Sequence, residues 1–368
     1  MLDNYYRYLI LLVWQTNAYL SPRAPNWPQE IVSKKILKKI PAGVRKDNRM
    51  RCPECGIKQK KGSEPRCHCG YRFIFHANTG QGMTDAFFFR LLRRAGGNGR
   101  FHFTFPQLYT AWCQQDAEER FSLLRKKLAG IGVLLLTLCI ACSLLFGWAG
   151  GLFSLLLLTG GPWILIRQYR RQLPPDLGDL KKLVKQWQSG NGDEDEMLLL
   201  HPSLDEPPPA FPEKDLFDYG AERIIIVERR LLVDLLVNNG FHADQNALIF
   251  SQDGYPSYIV HRAQKMLKED KSLPVYLLHD ASDGEMALSL KKKLSGRTVI
   301  DLGIGSDHLE KIQSLKALQL HRRGYKAPLD ILPYPVLATI CGQALSTQST
   351  LSEVLEQWDA RSVQQPLS

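Results

Sequence analysis

From Glu222 onward the chain alternates short apolar, β-branched runs with amphipathic stretches. Residues 223–227, 247–250, 275–278 and 298–302 read as strands, since a short continuous apolar run between turn signals suits a strand covered on both faces. Residues 231–238, 256–268 and 284–294 read as the helices between them. Strands separated by helices predict right-handed crossovers and a mostly parallel sheet. Ligands of such sheets sit at the carboxyl ends of the strands.

The pattern upstream is different. Residues 84–94 carry Phe87, Phe88, Phe89, Leu91 and Leu92, enough for the buried face of a helix that Ala95-Gly96-Gly97-Asn98-Gly99 breaks. A second helix starts after Phe105, with Thr104 as its N-cap and Pro106 in its first turn. Then thirty-nine residues, 128–166, carry no charged side chain. Because about 20 apolar residues cross a bilayer core, this run predicts a transmembrane hairpin. Its spans are 128–146 and 152–166, joined by Gly147-Trp148-Ala149-Gly150-Gly151. Basic residues on both flanks predict an inner (cytoplasmic) membrane location, multi-pass, with both termini cytoplasmic. Residues 1–49 lack the features of a signal peptide and read as an amphipathic, basic segment.

Net charge is +10, unevenly spread: residues 34–100 hold 17 Lys and Arg against 4 acidic residues. Such a block suits nucleic-acid phosphates, an anionic lipid surface or an acidic partner protein. Eight cysteines are too few for a disulfide scaffold at this length. Four of them cluster as Cys52-Pro53-Glu54-Cys55-Gly56 and Cys67-His68-Cys69-Gly70. Zinc takes four such ligands in a tetrahedron, and a glycine after each pair lets the chain curl around the ion. Residues 50–76 thus resemble a four-Cys zinc ribbon, with Cys52, Cys55, Cys67 and Cys69 as ligands of a structural zinc ion. His68 is the alternative donor in the second pair.

Carboxylates fall at the predicted strand ends. Glu228 ends the first strand, and Asp280 and Asp283 follow the third. Clusters on neighbouring strands can converge on a hard cation such as Mg²⁺, which takes oxygen ligands and stabilises phosphoryl transfer. At these residues the domain resembles a Toprim domain, the fold shared by topoisomerases, primases and certain nucleases. The resemblance implies that Glu228 is the acid/base carboxylate, Asp280 the first metal ligand and Asp283 a shifted second one. Two departures stand out. Arg229 follows the glutamate where the family usually has glycine, and Ser282 occupies the place of the family's second aspartate. The helix start at Thr104 resembles, in turn, the winged-helix module of the type IIB topoisomerase A-subunit. A tyrosine attacks DNA there; Tyr109 stands in that neighbourhood, but it lacks a preceding arginine and reads as a packed core residue.

The expected layout is 1–49 basic segment, 50–76 zinc ribbon, 77–127 small helical segment, 128–166 membrane hairpin, 167–217 linker, 218–305 Toprim-like α/β domain, and 306–368 C-terminal helices and tail. The fold class is α/β with a ribbon and a membrane hairpin. The expected function is binding or processing of DNA or RNA with a divalent cation, Mg²⁺-dependent phosphoryl transfer included, at a lipid bilayer. The alternatives are a membrane scaffold that docks partner proteins and a nucleotide-ligand sensor.

Overall fold

The apolar runs of the C-terminal half form strands because each has a covered surface on both sides. The computed structural model describes residues 49–60, 66–75, 83–130, 132–133, 137, 174–191, 197–205, 221–280, 285–304 and 328–364. Strands β5 (Arg223–Val227), β6 (Ala247–Ser251), β7 (Val275–Leu278) and β8 (Val299–Asp301) make one parallel sheet in the order β6-β5-β7-β8. Helices α4 (Arg230–Asn238), α5 (Phe241–Asp244), α6 (Ser257–Glu269) and α7 (Glu285–Lys293) lie between them in sequence. Side chains alternate across a strand, and the two faces separate cleanly. Ile225, Val227, Tyr276 and Leu278 pack with Leu232, Val233 and Leu236 of α4. Ile224, Ile226, Val275 and Leu277 pack with Ala263 of α6. Each such buried branched side chain stabilises by roughly 1.5–3 kcal/mol.

The first face continues into the rest of the protein. Helices α8 (Tyr334–Thr347) and α9 (Leu351–Gln364) supply Leu337, Ile340, Leu351 and Val354 to the same core. So do the N-terminal elements. Strands β1 (Arg49–Arg51) and β2 (Lys58–Lys60) form the antiparallel hairpin of the cysteine-bearing arm. Helix α1 (Asp85–Ala95) is capped by Thr84, whose hydroxyl accepts from the Phe87 N–H. Asp85, 2 % exposed, accepts from the Tyr71 hydroxyl and from the Ile74 and Phe75 N–H groups, tying the arm to the helix.

Strand β3 (Phe103–Thr104) pairs in parallel with β4 (Leu198–Leu199), and helix α2 follows β3 over 105–130. Its start is held by Gln107, whose side-chain oxygen accepts from the Thr104 N–H while its amide donates to the Leu332 carbonyl. The Thr104 hydroxyl is buried and makes no such bond. Within the stretch read as linker, helix α3 (Leu177–Asn191) packs Trp187 against Phe75 and Phe88. Asp234 on α4 is fully buried and accepts from the Tyr255 hydroxyl and from the N–H and hydroxyl of Ser203, pinning the segment after β4 to the sheet domain.

The expected membrane hairpin is corrected. No helix among the described residues is long and apolar enough to cross a membrane. Helix α2, which leads into the uncharged run, carries seven charged side chains over 105–130, among them Asp116, Glu118, Arg120 and Lys126. A span requires about 20 mainly apolar residues in one helix. Most of 128–166 lies outside the described residues, as do residues 1–48. The fold class is therefore an α/β domain continuous with a cysteine-bearing helical arm. The multi-pass membrane location and the bilayer as partner fall with the hairpin.

Candidate functional site

The four cysteines converge. Turns closed by the Gly56 N–H to the Cys52 carbonyl and by the Gly70 N–H to the Cys67 carbonyl bring each pair round, with both glycines at positive φ. Cys52 and Cys69 sulfurs lie 3.5 Å apart, Cys55 and Cys67 sulfurs 3.4 Å, and all four within 4.8 Å of one another. Zinc–thiolate bonds of about 2.3 Å would set tetrahedral sulfurs about 3.8 Å apart. The donor set fits that ion, and His68 is exposed and outside the group. Burial pushes the Cys52 thiol up, so a bound cation would exchange for its proton.

The second site follows from sheet order. Helix α4 leads from β5 toward β6 on one side, whereas α7 leads from β7 toward β8 on the other. The crevice of such a sheet opens where these directions part, at the carboxyl ends of β5 and β7. Glu228 and Asp280 stand there. The Glu228 N–H continues the ladder to the Leu278 carbonyl, and the Glu228 Oε2 accepts from the Asp280 N–H at 2.8 Å. Asp283 lies outside the described residues.

Both oxygens of Asp280 are engaged. Arg229 donates from Nε to Oδ2 at 2.6 Å and from Nη2 to Oδ1 at 3.2 Å, and the Leu329 N–H reaches Oδ1 at 2.7 Å. The same guanidinium donates from Nη2 to Asp330 at 2.5 Å. Asp330 sits in the 3₁₀ turn Leu329–Ile331 and its side chain is 0 % exposed. Burial alone would lower the Arg229 guanidinium, but Asp330 and Asp280 beside it raise it further. These residues do not fit the divalent cation expected at Asp280. Each of its oxygens accepts from the arginine, and displacing that arginine would strand Asp330 as a buried charge. Among the described residues, the cysteine cluster is the one group of three or more His, Cys, Asp or Glu side chains with converging ligand atoms.

His279, beside Asp280, faces two acceptors. Its Nδ1 is 2.7 Å from the Asp280 carbonyl oxygen and its Nε2 is 2.9 Å from Asp301 Oδ1 at the end of β8. Both contacts are to oxygen acceptors, an arrangement that favours the protonated ring. The hydrogen bond to Asp301 raises His279. Burial would raise Asp301, but His279 and the Gly303 N–H hold it below its ordinary value. Gly303 packs against this ring with no room for a side chain: a Cβ there would meet His279 Nε2 at 1.9 Å. Tyr109 is 1 % exposed and donates to the Pro175 carbonyl, so its hydroxyl is a packing group.

Asp330 is the site residue that sequence reasoning missed. Its signal was present: a lone acid in the apolar run Leu329-Asp330-Ile331-Leu332 needs a buried partner. No curated protein and no solved structure matches the chain. The strands and helices that carry Glu228, Arg229 and Asp280 do have a counterpart: residues 223–291 match the family of the Toprim domain found in the topoisomerase 6 A-subunit and Spo11.

Proposed function

We propose that the protein binds duplex DNA, with the crevice at Glu228 and Asp280 turned toward the nucleic acid and the zinc-stapled arm gripping phosphates. The observation that carries this reading is the Toprim match, which falls on the two strands that flank the crevice. The arm adds the electrostatics. Lys58, Arg66, Arg72 and Arg100 are exposed on it and beside it. Arginine and lysine on a rigid frame are the usual phosphate contacts, and they position a duplex without reading its sequence. Zinc supplies the rigidity, since Cys52, Cys67 and Phe73 make only a small core of their own. Phosphoryl transfer through a divalent ion at Asp280 is not part of the proposal, because Arg229 holds both oxygens of that carboxylate.

The test is fluorescence anisotropy of zinc-loaded, full-length protein with a labelled duplex across a salt series. Non-specific binding in the range of about 10⁻⁴–10⁻⁶ M at physiological salt is expected, weakening as salt rises. The triple variant Lys58→Glu, Arg66→Glu, Arg72→Glu should lose roughly tenfold or more in affinity and flatten the salt dependence. Binding by the triple variant equal to that of the unaltered protein would remove the arm from the account. No binding by the unaltered protein would remove the function.

A further inference from the structure

We infer that the Arg229 guanidinium is the resident cation of the strand-end crevice, standing where a divalent metal would sit and keeping it out. The inference goes beyond DNA binding and holds whether or not DNA binds.

Three segments meet at this side chain. Arg229 leaves the end of β5, Asp280 leaves the end of β7, and Asp330 arrives on the turn before α8. The planar fork of a guanidinium suits two carboxylates at once. Here Nε and Nη2 address Asp280, while Nη2 and Nη1 address Asp330, the latter at 3.5 Å. The Leu329 N–H adds a second donor to Asp280 Oδ1. Glu228 is spent in part on the Asp280 N–H. A metal such as Mg²⁺ demands near-octahedral oxygen ligands and gives up water reluctantly. To take Asp280 it would have to break the three hydrogen bonds its carboxylate accepts. It would also have to leave Asp330 charged, fully buried and without its arginine. The position of Asp330 makes the arginine more than a loose surface partner, because a carboxylate with no exposed surface requires a fixed counter-ion.

The test uses Mn²⁺ alone, titrated by electron paramagnetic resonance into zinc-loaded, full-length protein. The unaltered protein should bind no Mn²⁺ that Asp280→Asn removes. Arg229→Gln risks unfolding through the stranded Asp330, so the decisive variant is Arg229→Gln/Asp330→Asn, which removes the buried carboxylate and its partner charge together. Folded by circular dichroism, it should gain one Mn²⁺ equivalent, and adding Asp280→Asn should abolish that site. The inference is overturned if the unaltered protein binds one Mn²⁺ equivalent that Asp280→Asn abolishes. It is also overturned if the folded double variant gains none. Neither result depends on DNA, so failure here leaves the DNA-binding test intact, and the reverse.

Discussion

At the residue scale, one side chain decides the character of the crevice. Removing one partner of a buried ion pair typically costs about 3–5 kcal/mol, because the other charge is left without compensation. Arg229→Gln should therefore destabilise by about 3–5 kcal/mol in denaturant unfolding, and adding Asp330→Asn should recover much of the loss. Equal, additive losses would show that the two do not act as a pair. The neighbouring His279–Asp301 pair gives a pH signature. His279 is raised above 6.5, so its stabilisation is complete below 6.5 and lost as pH rises through the higher folded value. Asp301 is lowered below 3.8, so its share is present above 3.8 and lost as pH falls through the lower folded value. The melting-temperature gap between the unaltered protein and Asp301→Asn should be widest between those limits and shrink above pH 6.5; a gap constant from pH 5 to 9 would contradict the pairing. Glu228 and Asp280 could be placed from sequence because each closely follows an apolar strand. The partnership of Arg229 with Asp330 could not, because it spans about a hundred residues and depends on where the turn Leu329–Ile331 docks.

At the element scale, the sequence pattern carried most of the α/β domain. Residues 223–227 and 275–278 are strands with the bounds expected, β6 runs one residue further, and α6 is shifted by one residue. Apolar runs and helix periodicity are local signals, and both faces of this sheet are covered, so the signal was strong. The arm was half legible. The four cysteines announced their convergence, but Asp85, which anchors the arm to α1, looked like an ordinary acid in the first turn of a helix. This anchor yields a prediction. Cys52→Ser should abolish zinc binding and speed amide exchange over 49–72, while the Ile74 and Phe75 amides stay protected by Asp85. Exchange that rises equally at 74 and 75 would mean that zinc, not Asp85, holds the end of the arm.

At the scale of the whole molecule, strand order and the shared core were beyond reach of the sequence. Placing β5 between β6 and β7 is a tertiary choice, and it is this choice that opens a crevice beside Glu228. A segment with Ser, Gly, acidic and Pro clusters reads as a tether. Yet Trp187 and Leu199 within it are buried in the core that joins the arm to the sheet. The uncharged run misled in the opposite direction: lack of charge is a necessary feature of a span, whereas the described helix entering it is charged on its surface. What emerges is a basic arm with four converging cysteines and a Toprim-like sheet built on one core, with an arginine closing the strand ends. The most direct measurement is anomalous X-ray diffraction from crystals of the full chain soaked in Mn²⁺. The account predicts Arg229 bridging Asp280 and Asp330 with no anomalous peak between them. A manganese peak on Asp280, with Arg229 swung away from Asp330, would contradict it.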